Sequence, residues 1–218
     1  MTPTSDGPSG GNGPHPHGIA GAIDGGLQPC GQCGQDVGAR ALFCHGCGAV
    51  LPPRPLDPLA RRGVEPRYVL DVAVLGRQLA GFTRALDPAR FAARSPRQQA
   101  NARAQAEAMA QAYAVLHDPL PRARTLLRRE GVELPSPDPA RDPDTASLAA
   151  SLASGDVAVL DQVAADAGRL TEEGIRALAD AFRRGLTGDA ARLLARLEAL
   201  DTIAAAARDR RSGIAPPP

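Results

Sequence analysis

The chain has 218 residues, 43% hydrophobic and 22% charged, with a formal net charge of +1. That is ordinary globular composition, and it excludes a strong whole-molecule field drawing the protein to nucleic acid or a membrane. Trp is absent and aromatics make up 3%, too few for a β-sandwich or barrel, and no apolar run approaches the roughly 18 residues of a membrane span.

Residues 1–28 are rich in Gly, Pro and Ser, show no apolar period, and bury too little to offset ordering entropy, so a disordered tail is expected. His15 and His17 within it are read as incidental. Residues 1–39 contain neither Lys nor Arg, which argues against a secretory or transit leader. All later basic residues are arginine; with abundant Ala, Gly and Pro this suggests a GC-rich bacterial genome, and the expected location is cytoplasmic.

Residues 29–51 form a cysteine module. Cys30-Gly-Gln-Cys33-Gly and Cys44-His-Gly-Cys47-Gly repeat one device: the two-residue spacing lets both thiolates of a turn reach one cation, and the glycine lets the backbone fold around it. Four thiolates suit structural, tetrahedral zinc and fill every position, which leaves no open site for catalysis. Iron in a rubredoxin-like cage uses the same ligands and stays open beside zinc. A redox dithiol, which normally occurs once beside a helix of a βαβ unit, is the weaker reading. His45 is not needed as a ligand with four cysteines present.

Pro52-Pro53-Arg54-Pro55 makes a stiff linker. Asp57 caps and Pro58 opens a short helix that stops near Gly63. Asp71 caps the next helix, whose Val72, Leu75, Leu79, Phe82 and Leu86 step by three and four. A loop runs from Asp87-Pro88 to Ser95-Pro96. Pro96 opens a long helix with Ala102, Ala106, Met109, Tyr113 and Leu116 on one face. Asp118-Pro119 starts another, with Leu120, Ala123, Leu126 and Leu127, stopped by Gly131; its Arg122, Arg124, Arg128 and Arg129 are read as solvent-facing. The proline-rich residues 135–144 read as an interdomain linker.

From Thr145 to about Arg211 the pattern is helical again, with breaks near Gly155, Gly168 and Gly185 to Gly188. The expected fold class is all-α: a helical hairpin over 57–134 and a three-helix bundle over 144–211, preceded by a small four-cysteine knuckle. No Gly-rich phosphate loop, no Cys or Ser with a partnered His and no carboxylate cluster is present, so an enzyme is not expected.

Several segments taken together carry a family resemblance: Asp57-Pro58-Leu59-Ala60-Arg61-Arg62-Gly63; Pro66-Arg67-Tyr68 with Leu70-Asp71; Phe91; Gln111-Ala112-Tyr113 through Leu116; and Asp118-Pro119-Leu120, Arg122-Ala123, Leu126-Leu127 and Gly131. Residues 57–134 thereby resemble the J domain of the HscB-type co-chaperones of iron–sulfur cluster assembly, some of which carry two C-x-x-C pairs in front. The resemblance implies two protein partners, an HscA- or DnaK-type chaperone and an IscU-type scaffold, with neither nucleic acid nor membrane among them.

The family's hallmark His-Pro-Asp loop aligns with Asp87, Pro88 and Ala89, anchored on Arg90 and Phe91. An imidazole that can donate is replaced by a carboxylate that, ionised, only accepts, and the second polar group is lost to Ala89. Docking is therefore implied more securely than stimulation of the chaperone's ATPase. The chaperone-contact residues implied are Arg77, Arg84, Asp87, Pro88, Ala89 and Arg90. For the scaffold they are Leu148 and Leu152, one helical turn apart, with Ala199 where an aromatic contact is expected. Without the resemblance, the bare residues also fit a zinc-ribbon protein-interaction module outside iron–sulfur assembly.

Overall fold

The computed structural model describes residues 26–214; residues 1–25, with most of the expected tail and both of its histidines, lie outside them. Strands β1 (Gln28–Pro29) and β2 (Asp36–Val37) pair antiparallel, Gln28 opposite Val37, and a single bridge joins Phe43 to Val50. The ribbon thus begins inside the stretch read as tail, because its partner lies across the first cysteine turn, where no short-range pattern points.

The rest is helical: α1 (Pro58–Arg62), α2 (Val72–Ala85), a 3-10 turn (Pro88–Phe91), α3 (Pro96–His117) and α4 (Pro119–Arg129). A second 3-10 turn (Pro139–Arg141) precedes α5 (Pro143–Ser151), α6 (Val157–Arg183) and α7 (Thr187–Gly213). One dipeptide writes most of these starts. At Asp57-Pro58, Asp87-Pro88, Asp118-Pro119, Asp138-Pro139 and Asp142-Pro143 the carboxylate accepts a backbone N–H of the turn it opens. The proline that follows has its φ preset and no N–H to leave orphaned.

The expected break at Gly168 does not occur: α6 runs through it. Gly168 faces solvent and a Cβ there would meet nothing within 4 Å, so its helical cost is borne by the packed face around it. Gly168→Ala is expected to raise stability by about 0.5–1 kcal/mol, read as a shifted midpoint at unchanged slope in a urea titration. Gly174 is the opposite case. A Cβ there would stand 2.6 Å from Leu197 Cδ2, so this glycine lets α6 and α7 approach closely.

The two helical halves share one core. Leu59, Tyr68, Leu116 and Leu127 from the first half pack in the same cluster as Leu178, Leu194, Leu197 and Leu200 from the second. Tyr68 stacks on Phe182 with ring centroids 4.8 Å apart, and Arg196 of α7 holds Asp142 (3.1 Å) and Asp144 (3.2 Å). The segment read as an interdomain linker therefore joins two packed bodies. Among the described residues, no helix is long and apolar enough to cross a membrane.

Candidate functional site

The two cysteine turns are built alike. Cys30 N–H donates to Gln35 O and Gly34 N–H to Cys30 O; Cys44 N–H donates to Ala49 O and Gly48 N–H to Cys44 O. Gly34 and Gly48 sit at φ 75° and 69°, the left-handed conformation that lets each turn close behind its second cysteine. The four sulfurs come within 4.8 Å of one another, with Cys30–Cys47 at 3.9 Å and Cys33–Cys44 at 3.6 Å. A tetrahedral ion with bonds of about 2.3 Å to sulfur needs edges of about 3.8 Å. The cage therefore fits a four-coordinate metal, and its ligands would be the four cysteines expected from the spacing.

Without a metal the thiols are unequal. Backbone N–H groups of Gln32 and Cys33 lower the Cys30 thiol to about 7. The N–H of Gln35 favours the thiolate of Cys33, but Cys47 and the other crowding sulfurs push it up to about 12. The cage is thus already biased toward thiolate at one corner and opposes charge at another until a cation arrives.

The knuckle is clamped to the hairpin by α3. Val50 N–H donates to Gln98 Oε1 (2.6 Å), Asn101 Nδ2 donates to Val50 O (2.8 Å), and Gln105 Nε2 donates to Leu51 O (2.9 Å). Spacings of three and four put these amides on one face. Val50 packs with Leu86, Phe91 and Ala102, at the end of the hairpin that carries the loop. Gln105 is only 3% exposed, although the sequence offers no sign that a glutamine belongs inside.

The loop residues Asp87, Pro88, Ala89 and Arg90 are all exposed. Asp87 Oδ1 accepts the N–H of Ala89 at 2.9 Å, so its carboxylate is engaged as a cap. Arg77 and Arg84 on α2 are exposed as well. Val72, expected on the buried face, is exposed, and Leu75 is the buried residue within α2.

Arg122 corrects the expectation that the α4 arginines face solvent. It is buried, donates to Leu116 O (2.8 Å), and lies 5.0 Å over the Tyr68 ring. Arg62 is buried likewise, donating to Leu75 O (2.7 Å) with its guanidinium 5.1 Å over Phe82. Burial lowers its pKa. Arg124 pairs with Glu198, and Arg129 with Asp57 at 3.1 Å. Arg62 and Arg122 work in packing and Arg124 in the joint between the halves, while Arg128 and Arg129 are exposed as expected, Arg129 tying α4 to the start of α1.

On the bundle, Leu148 and Leu152 are half-buried and pack against the cluster of Val163, Ile203 and Ala207. Ala199 is 1% exposed. A buried methyl presents no surface, so Ala199 drops out of the expected scaffold-binding set; its position on α7 faces the core.

A four-cysteine knuckle clamped to a helical hairpin, which shares its core with a three-helix bundle, defines an all-α architecture with a metal-site-like module in front. The fold is that of HscB. The chain matches the crystal structure of human co-chaperone protein HscB with a TM-score of 0.74 and 19% identity, covering 85% of this chain and all of that one. It matches chaperone HscB from Vibrio cholerae with a TM-score of 0.62 and 21% identity, covering 73% of this chain and all of that one. No family model and no curated protein sequence matches the chain.

Proposed function

We propose that this protein is a co-chaperone adaptor of iron–sulfur cluster assembly and not an enzyme. Its bundle binds an IscU-type cluster scaffold, and its hairpin docks on an HscA- or DnaK-type chaperone in the cytoplasm. The knuckle holds structural zinc on Cys30, Cys33, Cys44 and Cys47, with thiolates as the soft donors that zinc prefers. The metal, when bound, supplies a cross-link between the two cysteine turns; it has no open position for a substrate.

The observation that carries this reading is the likeness to HscB over the full length of both compared chains. Leu148 and Leu152 support the scaffold role, being apolar, partly exposed and four residues apart, Leu148 on α5 and Leu152 at its C-terminal cap. Asp87-Pro88-Ala89 limits the chaperone role, because the loop lacks the donor and second acceptor of His-Pro-Asp. Docking without strong ATPase stimulation is the consequence.

Calorimetric titration with a purified IscU-type scaffold tests the first half. Micromolar binding is expected, with Leu148→Glu or Leu152→Glu weakening it by about tenfold or more, since a charge at an interface core costs at least about 1.4 kcal/mol. Helical content read by circular dichroism should hold, because both positions are only half-buried. Absence of any scaffold binding by the natural protein would remove iron–sulfur assembly from the proposal.

A further inference from the structure

The arginines of this chain differ in pairing from place to place. On the bundle, Arg169, Arg184, Arg192 and Arg196 each face an Asp or Glu within salt-bridge distance, while Arg176, Arg208 and Arg210 join no ion pair with a described residue. A cavity of about 510 Å³ beside the α6–α7 turn is rimmed by such neutralised pairs. On the hairpin, Arg77, Arg84, Arg90, Arg94, Arg97 and Arg103 are all exposed, and none joins an ion pair with a described residue. From Val72 to His117 six arginines stand against Asp87 and Glu107, a formal surplus of four on a chain whose total is +1. Near-neutral composition conceals a basic hairpin.

Between that hairpin and the knuckle lies a cleft of about 300 Å³ lined by Phe43, Gly48, Ala85, Arg90, Phe91 and Arg94. Its apolar residues come from both sides. Phe43, 36% exposed, is the knuckle's wall, and Phe91, 9% exposed, is the hairpin's floor. The two unpaired cations stand on the hairpin side. An apolar slot between aromatic rings, edged by guanidinium groups, is the anatomy of an anchor pocket with a charged rim.

We propose that this cleft receives an acidic protein segment bearing one bulky apolar side chain. The side chain seats between Phe43 and Phe91, and flanking carboxylates meet Arg90 and Arg94. The cysteine knuckle is then one wall of the docking surface for the chaperone. The inference rests on the reading that the hairpin is the face that meets the chaperone. Charge complementarity selects the occupant: the surplus cations call for acidic groups, and the short apolar slot suits one anchoring side chain. A nucleic-acid strand would instead be tracked by a longer basic groove with successive stacking platforms.

The test uses the full-length, metal-loaded protein and an ATP-bound HscA- or DnaK-type chaperone, with affinity read by fluorescence anisotropy. Phe43→Ser and the double variant Arg90→Glu/Arg94→Glu are each expected to weaken binding about tenfold, with one metal per chain and an unchanged circular dichroism spectrum. The affinity of the natural protein is expected to fall as salt is raised. The double variant lies outside the knuckle, so it reports even if Phe43→Ser loses metal, and an affinity within twofold of wild type there overturns the proposal. If Arg77→Glu/Arg84→Glu weakens binding while both cleft variants bind normally, the cleft is excluded and hairpin docking stands. If the natural protein binds a single-stranded oligonucleotide but not the chaperone, or binds neither, the cleft proposal and the docking reading fall together.

Discussion

Cys44→Ser is expected to abolish stoichiometric metal binding and release the knuckle while leaving the helices folded. Structural zinc in small cysteine sites contributes about 10–16 kcal/mol of apparent binding free energy at neutral pH, far more than the knuckle's own packing can offer. That packing is a handful of residues, Val37, Ala49 and Leu51 with the two buried cysteines. The shared helical core contains none of them, so far-ultraviolet dichroism should change little. What the body does lose is the plug at its end. Freeing Val50 uncovers Leu86, Phe91 and Ala102 and strips Gln98, Asn101 and Gln105 of their backbone partners. One buried valine and a few amide hydrogen bonds amount to about 3 kcal/mol, or roughly 6–12 °C in the melting midpoint of a chain this size.

Hydrogen exchange separates the two levels of this effect. In the variant, amides of 28–51 should exchange freely, those around Leu86 to Phe91 should gain partial exposure, and those of α6 and α7 should not move. Acidification of the natural protein should mimic the variant, because protons compete with metal for the same sulfurs and affinity falls with pH. Retained protection over 28–51 in metal-free protein would show that the knuckle stands without its cross-link, and structural zinc would lose its purpose.

Much of this architecture was legible because local chemistry wrote it. The Asp-Pro dipeptides at 57 and 118 announce their helices, since a carboxylate acceptor and a preset φ act within one turn, whereas Asp142-Pro143 opens α5 inside the proline-rich stretch read as linker. The cysteine pairs announce the cage for the same reason: ligand spacing is local. Features that depend on distant packing were not legible. Gly168 reads as a breaker, yet the face around it is held by α7. Arg122 reads as a surface cation, yet Tyr68, fifty-odd residues earlier in the chain, covers it. Gln105 carries no mark of burial, because the carbonyl it serves belongs to Leu51. Ala199 lay inward because alanine is silent about direction in an alanine-rich helix, where any face can be the packed one. The cleft beside Phe43 was invisible for a related reason: the residues that shape it stand on two elements whose contact is set by three amides on α3.

Local capping also governs the loop at Asp87. Asp87→His/Ala89→Asp, which restores His-Pro-Asp around Pro88, is expected to make this protein stimulate single-turnover ATP hydrolysis by an HscA- or DnaK-type chaperone about tenfold over wild type, roughly 1.4 kcal/mol of barrier. In the natural chain Asp87-Pro88 works as its four sister dipeptides work, as a helix start: Oδ1 is spent on the N–H of Ala89. Ionised and already engaged, it cannot donate, and Ala89 offers no acceptor. The substitution trades the cap for an imidazole, at a cost of about 1 kcal/mol or less, and places a carboxylate at an exposed position. The fold should survive, since Leu86 and Phe91, not the loop tip, are the residues packed against Val50. Gain in the repaired variant over a silent natural protein would identify a docked adaptor whose switch has been given over to capping. Equal stimulation by both would mean that the backbone of this 3-10 turn, with Arg84 and Arg90 at its sides, suffices to engage the chaperone, and the loop would have to be read as a working contact of different chemistry. Silence from both, with the scaffold still bound, would move the protein's role entirely to the bundle.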